Sequence, residues 1–207
     1  MLACSLPQEH IQRVVAFITG NDHFFLNLSM AACKAMMDAA ANVPFSSMVT
    51  VMARNGVNFG IRLSGTGDRW FQAPANAVEG LFFPGFGVDD AAADLGDSAI
   101  TETAGVGGFA MASSPAIVKN SRRMQAITLG GNPAFTLPAL NFAPTAAGID
   151  ARKVTDRGIL PVINTGIAHK QAGVGQIGAG ITTAPMACFV AAVRALAEIV
   201  AKENHHG

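Results

Sequence analysis

The segment Met48-Val-Thr-Val-Met-Ala-Arg-Asn-Gly-Val-Asn-Phe-Gly-Ile-Arg-Leu63 decides the fold. Asn55-Gly56 is the pair best suited to the positive φ angles of a type I′ turn. Beyond it, Val57, Phe59, Ile61 and Leu63 alternate with Asn58, Gly60 and Arg62, the period of a half-buried strand. An antiparallel hairpin follows, and a two-residue turn sets Arg54 opposite Val57, Met52 opposite Phe59 and Val49 opposite Arg62. Met48, Met52, Phe59, Ile61 and Leu63 are then expected on the buried face. After Ser64-Gly-Thr-Gly67, the stretch Arg69-Trp-Phe-Gln72 reads as a returning third strand, so a β-meander covers 46–73.

Upstream of the meander the pattern is helical. Ser5 to Gln8 fits a capping box with Pro7 in the first turn, and Ile11, Val14, Val15 and Ile18 form one apolar face before Gly20. Asn21 or Asp22 caps a second, alanine-rich helix that ends before Pro44 and is expected to pack in a crowded core or on a partner. Downstream, Pro74 to Gly96 reads as loop. Asp97 or Ser98 caps a helix through Thr101-Glu-Thr103, Gly105-Val-Gly-Gly108 interrupts it, and a helical stretch runs through Met111 and Met124 to Gly130-Gly131. Ile149 to Arg157 is a short helix, Ile159 to Ile167 a buried strand, Gly173 to Gly180 a loop, and Pro185 to Lys202 a final amphipathic helix. A meander with segregated helices makes this a single α+β unit over 1–207, helical in 1–45 and mixed in 46–207.

Composition narrows the function. Half of the 207 residues are hydrophobic and 14% are charged, which predicts a filled core. Fourteen basic residues balance fourteen acidic ones without like-charge runs, so no footprint for nucleic acid or an anionic membrane is seen. No run approaches the ~20 apolar residues of a membrane helix, and the N-terminus lacks the basic region of a signal peptide. The three scattered cysteines, Cys4, Cys33 and Cys188, read as free thiols, and the expected location is cytoplasmic. With no Cys-x-x-Cys and no histidine pair at ligand spacing, no metal is expected.

Glycine strings carry the remaining chemistry. Gly173-Val-Gly175-Gln-Ile-Gly178 matches the dinucleotide fingerprint as a string. The strand, turn, helix and downstream acid that give the fingerprint its mechanism are missing around it, so no dinucleotide cofactor is expected. The same backbone, including Gly175, Gly178 and Gly180 and the turn at Gly107 and Gly108, offers N–H groups for an anion, or else is a tight connection. His169 follows the strand end Asn164-Thr165 and is either a carbonyl-polarising group or a turn histidine. Glu102 is a base or a buried acceptor; Arg54 and Arg69 are carboxylate clamps or exposed turn residues. Asp97 and Ser98 read better as a helix cap than as a hydrolase nucleophile turn.

Asn21-Asp-His-Phe-Phe-Leu-Asn-Leu-Ser-Met30, Met52-Ala-Arg-Asn-Gly56, Gly67-Asp-Arg-Trp70, Gly96-Asp-Ser-Ala-Ile-Thr-Glu-Thr-Ala-Gly105, Ile163-Asn-Thr-Gly-Ile-Ala-His-Lys170 and Gly175-Gln-Ile-Gly-Ala-Gly180 together resemble the YlbE/YahG-like family. That family includes a subunit of oxamate carbamoyltransferase, from allantoin degradation in purine catabolism. The resemblance implies phosphorolysis of oxalurate to oxamate and carbamoyl phosphate, within a homo- or hetero-oligomer containing other subunits. It also implies that this chain corresponds to the C-terminal half of such a protein, without the nucleotide-binding-like N-terminal domain. On that reading the small anionic ligand is oxamate, phosphate or carbamoyl phosphate. Arg54, Arg69 and the glycine amides bind it beside Asn164 and Thr165, with His169 and Glu102 catalytic. The alternative is a non-catalytic assembly subunit that binds a small anionic metabolite.

Overall fold

The computed structural model describes residues 6–21, 23–105, 124–136 and 144–205. Five α-helices and nine strands in two antiparallel sheets make up these residues, an α+β architecture as the meander implied. Strands β1 (Met48–Asn55), β2 (Asn58–Leu63) and β3 (Phe71–Pro74) form the expected meander. β6 (Thr128–Thr136) and β7 (Pro144–Asp150) extend it past β1, giving the order β3-β2-β1-β7-β6. The short β5 (Leu95–Gly96) pairs with the far end of β1. A second sheet holds β4 (Glu79–Phe82), β9 (Gln176–Thr183) and β8 (Val162–Ala168), in that order.

The hairpin register departs from expectation in two places. Arg54 pairs with Phe59 and Met52 with Ile61, because the Asn55 side chain accepts N–H bonds from both Val57 and Asn58. That widens the turn to four residues, with Gly56 at φ +81°. Being a shift of two, it leaves the strand faces unchanged. A β-bulge between Val49 and Val51 does change them, since one extra residue reverses the alternation upstream. Val49 therefore joins Met52, Phe59, Ile61 and Leu63 in the main core, while Met48 packs on a second cluster with Cys33, Met37 and Ala104.

Helices cover both faces of the large sheet. α5 (Met186–Asn204) lays Cys188, Phe189, Ala192, Ala195 and Leu196 on β2 and β3, the i, i+1, i+4 spacing of an amphipathic stripe. Each large side chain so buried contributes about 1.5–3 kcal/mol. α4 (Ala151–Arg157) packs beside it, its N-terminus capped by Asp150 accepting from the Arg152 N–H. α3 (Ala99–Ala104) and α2 (Phe24–Ala39) stack against β1 through the smaller cluster.

Several expectations are corrected. α1 (Gln8–Thr19) starts one residue after Pro7 without a side-chain cap and buries nothing, so its apolar stripe faces outward. Asn21 does not cap α2, whose N-cap is His23, but accepts the His23 N–H; Asp22 lies outside the described residues. The supposed loop over Pro74 to Gly96 contains β4 and β5, and the helical reading toward Gly130-Gly131 gives way to β6. The helix expected from Ile149 begins at Ala151, because Ile149 and Asp150 complete β7. Residues 106–123 lie outside the described residues.

A cleft between two sheets and a helix

β5 determines where the site forms. By pairing Gly96 with Arg54 it delivers Asp97 and Ser98 to the end of β1, and α3 then runs back toward β8. The first turns of α2 close the third side with His23, Phe25, Leu26 and Ser29. The result is a cleft of about 610 Å³, within the ~300–1,000 Å³ usual for a small ligand. Asp97, Ser98, Glu102, Asn164 and Thr165 give it a polar wall.

Glu102 is 1% exposed, and its Oε1 accepts the backbone N–H of Asn164 at 3.0 Å. β8 is an edge strand, so this bond satisfies an outward N–H and ties α3 to the second sheet. Beneath the cleft lies Arg54, whose side chain is wholly buried. Its Nε donates to Asp94 at 3.0 Å, and its Nη2 donates to Ser98 Oγ at 2.6 Å and Thr165 Oγ1 at 2.8 Å. Nη1 has no partner among the described residues. Burial pushes the Asp94 carboxyl above its ordinary value, and the charge and hydrogen bond of Arg54 draw it partly back.

The cleft therefore brings together Glu102, Asn164 and Thr165, three of the residues expected at the site. Arg54 supports the floor instead of standing at the rim, because Asp94 takes up its charge. Arg69 is exposed on the meander with its guanidinium over the Phe71 ring, 5.3 Å from the centroid, and does not line the cleft. His169 also lies outside the lining. Ala168, the last residue of β8, lines the cleft, whereas His169 lies past the strand end with its ring edge-on to Phe86 at 5.9 Å. Its Nδ1 accepts the Gln171 N–H and its backbone N–H donates to Gly175, which makes it a turn residue of the β8–β9 hairpin.

The glycines split in the same way. Gly175 sits in that hairpin turn at φ +92°. Gly178 and Gly180 are inside β9, where they let β4 approach: a Cβ on Gly180 would lie 2.1 Å from the Glu79 carbonyl oxygen. These are close-approach glycines, not an anion nest. Gly107 and Gly108 lie outside the described residues. The residue missed by sequence reasoning is Ser98. It occupies the N-cap position of α3 yet makes no cap bond with its side chain, which goes to Arg54. Nothing local signals this, since Arg54 is brought there by strand pairing 44 residues away.

Comparison with known proteins gives the family. Residues 1–98 match the oxamate carbamoyltransferase subunit AllG family. The AllG subunit of Escherichia coli (strain K12) is 50% identical over 203 residues, 92% of this chain and 48% of that protein. The chain belongs to that family. YahG, an uncharacterized protein of the same organism, is 50% identical over 196 residues, 89% of this chain and 42% of its own length. The crystal structure of a conserved protein from Enterococcus faecalis V583 superposes with a TM-score of 0.89 at 45% identity. It matches 94% of this chain and 49% of the other. The chain thus spans about half the length of the relatives it matches. Among the described residues, no helix is long and apolar enough to cross a membrane, and no cluster of three His, Cys, Asp or Glu is arranged to hold a metal ion.

Proposed function

We propose that this chain works as a subunit of an oxamate carbamoyltransferase-type assembly and that the cleft binds the carbamoyl-bearing substrate. The observation that carries the reading is the convergence of Glu102 from α3 with Asn164 and Thr165 from β8 on one cleft, in a chain half identical to AllG. In the reaction, a phosphate oxygen attacks the carbamoyl carbon of oxalurate. The C–N bond to the oxamate nitrogen breaks, and that nitrogen takes up a proton. A buried carboxylate beside the cleft suits the proton-handling part, so on this reading the role falls to Glu102, with His169 outside the lining. Confinement in the cleft supplies orientation.

The test is production with and without the neighbouring gene products, followed by a phosphate-dependent carbamoyl-transfer assay in both directions. Co-purification with turnover that falls ~10²-fold or more in Glu102→Gln supports the proposal. A fully assembled complex without transfer activity refutes it.

A second reading, an assembly subunit, is favoured by α1. Leu6, Val14, Phe17 and Ile18, with Phe24 of α2, line an open groove of about 530 Å³. Phe17, Phe25 and Leu28 are each at least 60% exposed. An exposed apolar surface of this kind, with His10 and Arg13 beside it in the groove, suits a protein interface, and on this reading a partner subunit covers it.

A further inference from the structure

The geometry points to Ser98 as the hydrogen-bond donor for the carbonyl oxygen of a primary amide or carbamoyl group, an inference that rests on the cleft being the substrate site. A guanidinium has only donors, so at 2.6 Å the Ser98 oxygen accepts from Arg54 Nη2. Accepting from a cation uses a lone pair and strengthens the hydroxyl as a donor in its turn. Thr165 shares the same Nη2, but its hydroxyl donates to the Gly166 carbonyl at 3.2 Å. Ser98 makes no such second bond to any described residue, and its half-buried side chain lines the cleft. The hydroxyl therefore carries part of the buried positive charge of Arg54 to the cleft surface.

The rest of the wall selects what lies across from it. Asp97 and Glu102 line the same cleft. A ligand end facing two carboxylates gains most by bringing N–H donors, and an anionic end is repelled. A primary amide satisfies both requirements, with its oxygen on Ser98 and its NH₂ toward the carboxylates. When the group held there is the carbamoyl of oxalurate, charge builds on that carbonyl oxygen during transfer, so the Ser98 bond strengthens where it lowers the barrier.

The experiment is titration calorimetry of the full chain with three probes: oxamate, its near-isostere oxalate, and neutral acetamide. The variants are Ser98→Ala and Ser98→Thr, with thermal midpoints as the control for folding. Expected results are binding of oxamate about tenfold or more tighter than oxalate, a loss of about tenfold or more in Ser98→Ala, and recovery in Ser98→Thr. Unchanged oxamate binding in a folded Ser98→Ala, or oxalate binding as tightly as oxamate, overturns the inference. Ser98-dependent binding of acetamide without oxamate binding supports it and removes oxamate as the substrate. Failure of all three probes overturns it too, while the transfer assay on the assembled complex still decides the proposed function on its own terms.

Discussion

Replacing Asp94 by Ala tests the buried ion pair on which the cleft floor rests. Asp94 is 1% exposed and, among the described residues, is the carboxylate bonded to Arg54, which also donates to two neutral hydroxyls. Removing it strands a buried guanidinium, a change that costs about 3–5 kcal/mol. Against a total stability of roughly 5–15 kcal/mol this is a large share. At roughly 2–4 °C per kcal/mol for a chain of this size, the thermal midpoint should fall by about 10 °C. Urea denaturation at neutral pH measures the cost directly. The double variant Arg54→Met with Asp94→Leu should recover most of it, since apolar replacement of a buried pair is often neutral or stabilising. Burial holds the Asp94 carboxyl above its ordinary value, so the folded chain keeps this proton more readily than the unfolded chain. That contribution to stability is fully present below the unfolded value and is lost as pH rises through the raised folded value. The gap between wild type and Asp94→Ala should accordingly narrow from acid pH upward. A cost below about 1 kcal/mol refutes the stranded-charge argument. A gap that widens with pH shows instead that attraction to Arg54 outweighs desolvation.

Three further outcomes follow from the packing. Gly180→Ala places a methyl 2.1 Å from the Glu79 carbonyl oxygen and must part β4 from β9, so it should cost about 1–3 kcal/mol or more in a denaturation curve. The Cys188 thiol, fully buried and pushed up to about 11 by burial, should resist a thiol reagent at pH 8 in the folded chain and react only in denaturant. Phe17→Ser, on a helix with no buried residue, should change chain stability by less than about 0.5 kcal/mol yet weaken co-purification with partner subunits; full retention of the complex removes α1 from the interface.

How much of the fold was legible depended on whether the signal was local. The meander, α3, α4 and α5 each carry their own periodicity, cap or turn, and all are present. The two errors at the hairpin come from the Asn55 side chain and the bulge before Val51, which act within a few residues but leave the apolar alternation unmarked. β4 and β9 were hidden for another reason. Their pairing depends on Gly80, Gly178 and Gly180 removing side chains where the backbones meet, and in one dimension such glycines read as a loop.

The site was harder to read because it is made by pairings across long separations. Glu102, Asn164 and Thr165 stood out as polar residues beside glycines, and the contact between α3 and β8 places them together. His169 stood out for the same reason, but a single step along the hairpin turns it onto Phe86. Arg54 reads as an anion clamp in the sequence, an argument that holds only while its charge is unspent. Asp94, 40 residues away, spends it. What remains is a guanidinium that faces the cleft through the Ser98 hydroxyl instead of touching a ligand. This shifts the chemistry expected of the cleft from clamping an anion to donating a hydrogen bond. On the proposed function, a carboxylate or phosphate on the substrate then has His23 within the lining and must draw any further cation from outside it, which is one more reason to assay transfer on the assembled complex and not on this chain alone.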